Sequence, residues 1–222
     1  MRKLVAILCL MLAVNGQAQS AYADSLVKRA MAKMQNIPAY ECDIVIDLDV
    51  NFINIKQRKG KVYFLPPDSI RYDIKGFAFL PKKGVNERAT SATEGDYVAL
   101  HLGTDTVHNT KCEVVKVIPN DIEAAVVLGQ YWLDAQDRIH KMVIVTKEEG
   151  NYEIEMEYGN EKYAVPSKVT VNFDTEEMSI PKSMTGDLEA EDEPPSTNKK
   201  KKRKGSIIIH YRNYVFNERN SG

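Results

Sequence analysis

This sequence predicts a mainly β, antiparallel fold with a single opening helix. Three observations carry that expectation: apolar and polar residues alternate with period two in a series of short runs, turn residues separate those runs, and most of them have no crossover helix between them. A meander curled into a sandwich or barrel follows, not a set of βαβ units.

The elements can be justified in order. The first stretch places Arg2 and Lys3 before an apolar run from Leu4 to Val14, with small residues at Gly16 and Ala18. This reads as a secretory leader over residues 1–18, cut after Ala18, because a membrane span needs about 20 apolar residues. Cys9 lacks a small residue just before it, so a lipid anchor there is not expected. Beyond the cut, Val27, Ala30, Met31 and Met34 fall on one helical face, with Asp24 as N-cap and Pro38 as the stop. From Tyr40 the period becomes two, with Cys42, Ile44, Ile46, Leu48 and Val50 on one side of a strand. KGKVYFL and DSIRYDI flank Pro66-Pro67 and read as a hairpin, with Ile70, Tyr72 and Ile74 on one side. The region Leu80 to Gly95 reads as a loop. DYVALHL, KCEVVKVI, GQYWLD, RIHKMVIV, NYEIEMEY and SKVTVNFD are further strands, with turns at Asp134–Asp137 and Glu149–Asn151. NDIEAAVVL suggests a short helix capped by Asn120 or Asp121. The segment Gly186–Gly205 holds an acidic block, two prolines and a basic block from Lys199 to Lys204, so it reads as a mobile charged insertion. SIIIHYRNYVFN then supplies the closing strand. A single domain over 19–222 is the expected organisation.

With 222 residues, 43% hydrophobic and 27% charged, the chain has enough mass for a sizeable core. Its 30 basic and 31 acidic residues give a net charge of -1, so no global field draws it to nucleic acid. Loss of Arg2 and Lys3 with the leader moves that balance from -1 to -3. Only Cys42 and Cys112 remain after processing. In an oxidising compartment they either bridge or act as two small buried hydrophobes that never meet.

Chemistry-bearing motifs are sparse. Nothing resembles GxSxG or a phosphate-cradling glycine loop, and His101, His108, His140 and His210 are scattered and read as surface residues. Glu153, Glu155 and Glu157 alternate with Tyr152, Ile154, Met156 and Tyr158, which is the wet face of a strand before it is an acid/base pair. No enzyme, metal site or cofactor is expected. The apolar surplus is more informative. Members such as Tyr63, Tyr72, Trp132, Met142, Tyr152, Met156 and Tyr158 either fill a closed core or surround a cavity that an acyl chain could occupy.

The order of features carries a resemblance: leader, one amphipathic helix, a long first strand, KGKVYFLPPDSIRYDIKGFAFLPKKG, CEVVKVIPND, GQYWLDAQDRIHKMVIV, NYEIEMEYG and a final IIIHYRNYVFN. It resembles the LolA/LolB superfamily of outer-membrane lipoprotein carriers, in its LolA-like lipoprotein-sorting form, over about Ala21 to Asn217. The resemblance implies a strongly curved, incompletely closed antiparallel β-barrel with an N-terminal helix and short lid helices. It also implies a soluble periplasmic protein that binds lipid acyl chains or lipoproteins, with transient membrane contact and membrane-associated donor and acceptor partners. The expected apolar lining is Ile44, Ile46, Leu48, Ile70, Tyr72, Ile154 and Met156, with a pocket arginine at Arg58, Arg71 or Arg88. The alternative is an envelope interaction or sensor module of the same fold, packed solid, whose loops Leu80–Gly95 and Gly186–Gly205 engage a protein.

Overall fold

The computed structural model describes residues 20–50, 57–67, 69–74, 90–147, 151–175 and 203–217. The leader, residues 80–89 of the expected loop and residues 186–202 of the charged insertion lie outside them. The described chain is one α-helix, α1 (20–35), a 3-10 turn at Ser91–Thr93 and ten strands. These are β1 (Ala39–Val50), β2 (Arg58–Leu65), β3 (Ser69–Ile74), β4 (Tyr97–Val107), β5 (Thr110–Pro119), β6 (Val126–Leu133), β7 (Ile139–Thr146), β8 (Asn151–Tyr158), β9 (Pro166–Thr175) and β10 (Arg203–Asn217). Every described pairing is antiparallel. The strand order ends at β3 and at β4 without joining them, so the sheet is open, as an incompletely closed barrel requires.

The strands and helix fall into two compact units, one drawn from residues 1–37 and 86–147, the other from 38–85 and 148–222. In the first, the strand order is β7-β6-β5-β4. Its α1 buries Ala23, Leu26, Val27, Ala30 and Met31, the face that the 3.6 period marks. The helix is tied to the strands by polar contacts: Tyr97 Oη donates to Asp24 Oδ1 at 3.0 Å, and Arg29 Nε donates to Asp137 Oδ1 at 2.9 Å. Asp24 is therefore not an N-cap. The helix already runs from residue 20, and the Asp24 carboxylate is taken by Tyr97 and by Lys28 at 2.8 Å. Val115, Val117, Tyr131, Leu133, Met142 and Ile144 are buried in the same unit. Their neighbours on the opposite sheet face, Val107, Cys112, Val114 and Trp132, form a separate small cluster with Val143. A Cβ on Gly129 would stand 2.7 Å from Ala92 Cβ, so a glycine is needed where the 91–93 turn seats on β6.

Two further expectations fail in this unit. Residues within NDIEAAVVL do not form the expected short helix: Asp121 Oδ1 accepts Glu123 N–H, Asp121 O accepts Ala124 N–H, and from Val126 the chain pairs with β7. A tight turn followed by β-branched residues with a partner strand outcompetes one weak helical turn. His140 is also not a surface residue: it is buried, with Nε2 3.0 Å from Asp134 Oδ2. At Asp134–Asp137 the turn is as expected, with Asp137 N–H on Asp134 O.

In the second unit the order is β3-β2-β1-β10-β9-β8. Pro66-Pro67, joined by a cis bond, turns β2 into β3 as the sequence predicts. The final strand begins at Arg203, opposite Thr175, so the last residues assigned to the charged insertion are strand. β1 and β10 lie side by side from Ala39↔Asn217 to Val50↔Gly205, with a bulge at Glu41/Asp43. A Cβ on Gly60 would collide with the Asp73 carbonyl and with Ile74 Cγ1, which only glycine tolerates so close to β3. Cys42 and Cys112 are both buried free thiols, so the bridge is absent and the small-hydrophobe reading holds.

Candidate functional site

Register places the expected lining on one face of the second unit. Ile44 opposes Tyr211, Ile46 opposes Ile209, and Leu48 opposes Ile207. Ile209 and Ile207 oppose Val169 and Val171 on β9, which oppose Met156 and Ile154 on β8. On the other side Val62 opposes Tyr72 and Phe64 opposes Ile70. Because side chains alternate across a strand, these pairings put Ile44, Ile46, Ile70, Tyr72, Ile154 and Met156 on a common face. Ile44, Ile46, Ile154 and Met156 are buried, whereas Ile70 and Tyr72 are half-buried. The Leu48 side chain lies outside the described residues, although its backbone keeps register. Tyr63 and Trp132 sit on the faces opposite Tyr72 and Met142, so they do not join a shared interior, contrary to expectation.

The three candidate arginines separate. Arg58 opposes Ile46 and so belongs to the apolar face. Arg71 opposes Tyr63 on the other face and stacks its guanidinium 4.4 Å from that ring. Arg88 lies outside the described residues. The Arg58 Nε is buried and meets no hydrogen-bond acceptor among the described residues. Leaving such a donor unmet costs about 1–3 kcal/mol.

A second feature, unforeseen from sequence, lies at the strand ends of this unit. An open groove of about 920 Å³ is lined by Tyr40, Glu41, Tyr63, Phe64, Leu65, Arg71 and Val215, among others. None of the seven expected lining residues contributes to it. Glu41, Tyr63, Arg71 and Val215 come from the face opposite Ile46, while Tyr40 and Phe64 come from the apolar face, so the groove wraps the strand ends. Beside it, Tyr40 packs against Phe64 at 5.1 Å and Tyr214 at 5.2 Å, and Tyr214 stacks on Phe216 at 5.6 Å. Tyr214 Oη donates to the Pro166 carbonyl. Burial pushes the Tyr40, Tyr211 and Tyr214 phenols well above the ordinary tyrosine range and Tyr72 up to about 12. The strong period-two signal of β1 and β10 gave their faces but not the end-on meeting of their aromatics.

Polar clusters in the first unit serve structure. Asp134 Oδ1 accepts Gln136 N–H and Arg138 N–H, and Oδ2 accepts Arg138 Nε–H at 2.8 Å beside His140. Burial raises the Asp134 carboxyl, but these donors outweigh it and hold the group far below the usual carboxylate range. His101 Nε2 lies 2.6 Å from Glu113 Oε2, with the Tyr22 ring edge-on at 5.2 Å. Among the described residues no group of three or more His, Cys, Asp or Glu is placed to hold a metal. No described helix is long and apolar enough to cross a membrane.

No protein-family model and no curated protein matches this sequence. Solved structures do match. A putative outer membrane lipoprotein-sorting protein domain from Vibrio parahaemolyticus superposes with a TM-score of 0.54 at 11% identity, over 90% of this chain and 94% of that one. A LolA superfamily protein from Nitrosomonas europaea gives 0.50 at 10% identity, over 88% and 94%. The fold is LolA-like. A DUF1329 family protein from Desulfovibrio piger shares it at a TM-score of 0.51 and 10% identity, over 90% and 95%. The LolA-like likeness extends across most of the chain, which bears out the architecture expected from sequence: mainly β, antiparallel and open.

Proposed function

We propose that the chain is an exported, non-catalytic carrier of lipid acyl chains or acylated proteins, acting in the periplasm after removal of residues 1–18 from a single 19–222 domain. The observation that carries the reading is the continuous apolar face of the second unit, which runs over six neighbouring strands and holds Ile44, Ile46, Ile70, Tyr72, Ile154 and Met156 together. Leu48 extends the same register. Binding is passive in this scheme: each CH₂ that leaves water for that face contributes about 0.8 kcal/mol. The LolA-like fold supports the assignment, since one relative sharing it is described as a lipoprotein-sorting domain. Donor and acceptor proteins and brief membrane contact belong to this scheme, and nucleic acid does not.

The test is mass spectrometry of protein purified from an envelope extract, together with uptake of a fluorescent fatty acid. Stoichiometric lipid is expected. Ile46→Glu and Ile154→Glu, checked for native circular dichroism, should lose it; lipid retained at the wild-type level by folded variants would overturn the assigned face. A second reading has its own observation. Ile46 is 1% and Ile154 0% exposed, which suits a core packed solid and an interaction module instead of a container. That reading predicts no bound lipid and no uptake.

A further inference from the structure

We infer that Arg58 anchors an anionic head, so that the occupant of the apolar face is a single-chain amphiphile ending in an oxyanion, either a carboxylate or a phosphate. This deepens the carrier reading and rests on it. The row through Arg58 is Arg58–Ile46–Ile209–Val169–Met156, read across β2, β1, β10, β9 and β8. Four of its five members are buried and apolar, and the fifth is a permanent cation at one end. At about 4.8 Å between neighbouring strands the row spans roughly 19 Å, about the reach of a long acyl tail laid across the sheet.

Among the described residues the cation has no counter-charge on its own face. The described carboxylates of β1 alternate onto the other face, where each has its own partner: Asp47 accepts Gln57 Nε2–H at 2.9 Å, Asp43 accepts Asn213 Nδ2–H at 2.8 Å, and Glu41 faces Lys61 at 3.6 Å. Among the described residues the buried Nε–H of Arg58 meets no acceptor. A buried guanidinium donor beside apolar side chains is satisfied best by an oxyanion, whose two oxygens match the guanidinium fork.

The experiment compares purified, delipidated full protein with four probes: oleate, its methyl ester, oleoyl lysophosphatidate, and neutral monooleoylglycerol. Wild type should bind at least one anionic probe about tenfold tighter than its neutral counterpart, the preferred pair telling carboxylate from phosphate. Arg58→Gln should erase that preference while leaving neutral-probe affinity in place, and Arg58→Lys should restore part of it. Equal affinity of wild type for charged and neutral probes, or a preference surviving in Arg58→Gln, overturns the anchor and leaves the carrier standing. Failure of all four probes to bind wild type overturns the carrier, and the anchor falls with it.

Discussion

Asp134 shows how much one side chain can hold. Its two oxygens collect two backbone N–H groups, the Arg138 guanidinium and His140 within a single turn. Asp134→Ala leaves those donors without their acceptor and should cost about 3 kcal/mol, measured by urea unfolding at neutral pH. The pH dependence has a defined sign. Because the folded carboxyl lies below its ordinary value of 3.8, its contribution is full above that value and fades as pH falls toward the folded one. Wild type should therefore lose its advantage over Asp134→Ala only in strong acid. The thiols are a second case at this scale. Burial pushes Cys42 up to about 12 and Cys112 to about 11, and neither is bridged. Neither should react with a disulfide reagent at pH 8 in the folded protein, and both should react in urea, because the thiolate is the nucleophile.

At the scale of elements, β2 and β3 meet too closely at Gly60 for any side chain. Gly60→Ala should destabilise by about 1–3 kcal/mol, since the added carbon meets the Asp73 carbonyl as well as Ile74 Cγ1, and the backbone carbonyl cannot swing away. A thermal melt at or above the wild-type midpoint would contradict this. The aromatic ends of β1 and β10 lead to an alkaline prediction. Tyr40, Tyr72, Tyr211 and Tyr214 stay neutral in the folded unit beyond the pH at which an unfolded tyrosine ionises, about 10, so their contribution is complete below that pH and declines above it. Tyrosinate absorbance and loss of far-ultraviolet dichroism should rise together there, not in separate steps. Much of this level was legible beforehand. Cys42, Ile44 and Ile46 announced β1 because one buried face forces strict alternation, and Pro66-Pro67 announced the hairpin. The stretch from Asn120 to Leu128 misled because Ala124 and Ala125 suit a helix, while the deciding partner, Thr146 on β7, is distant in sequence. Arg58 stayed undecided for another reason: nothing local distinguishes it from Arg71, and only the pairing with Ile46 puts it on the apolar side.

For the whole molecule, the carrier reading makes a thermodynamic demand. A ligand that binds only the folded chain stabilises it by about 2.7 kcal/mol at a hundred times Kd, which for a protein of this length raises Tm by roughly 5–10 °C. Saturation with a bound acyl probe should produce that rise, and a flat melting curve at saturation would contradict specific binding to the native state. The pairing of β1 with β10 has a further consequence. Ala39 meets Asn217, so β1 waits for a strand far downstream of it, whereas α1 and β4–β7 are complete once Lys147 has emerged. Such distant closure slows folding. The second unit is therefore the slower of the two to assemble, because its sheet closes only when β10 reaches β1.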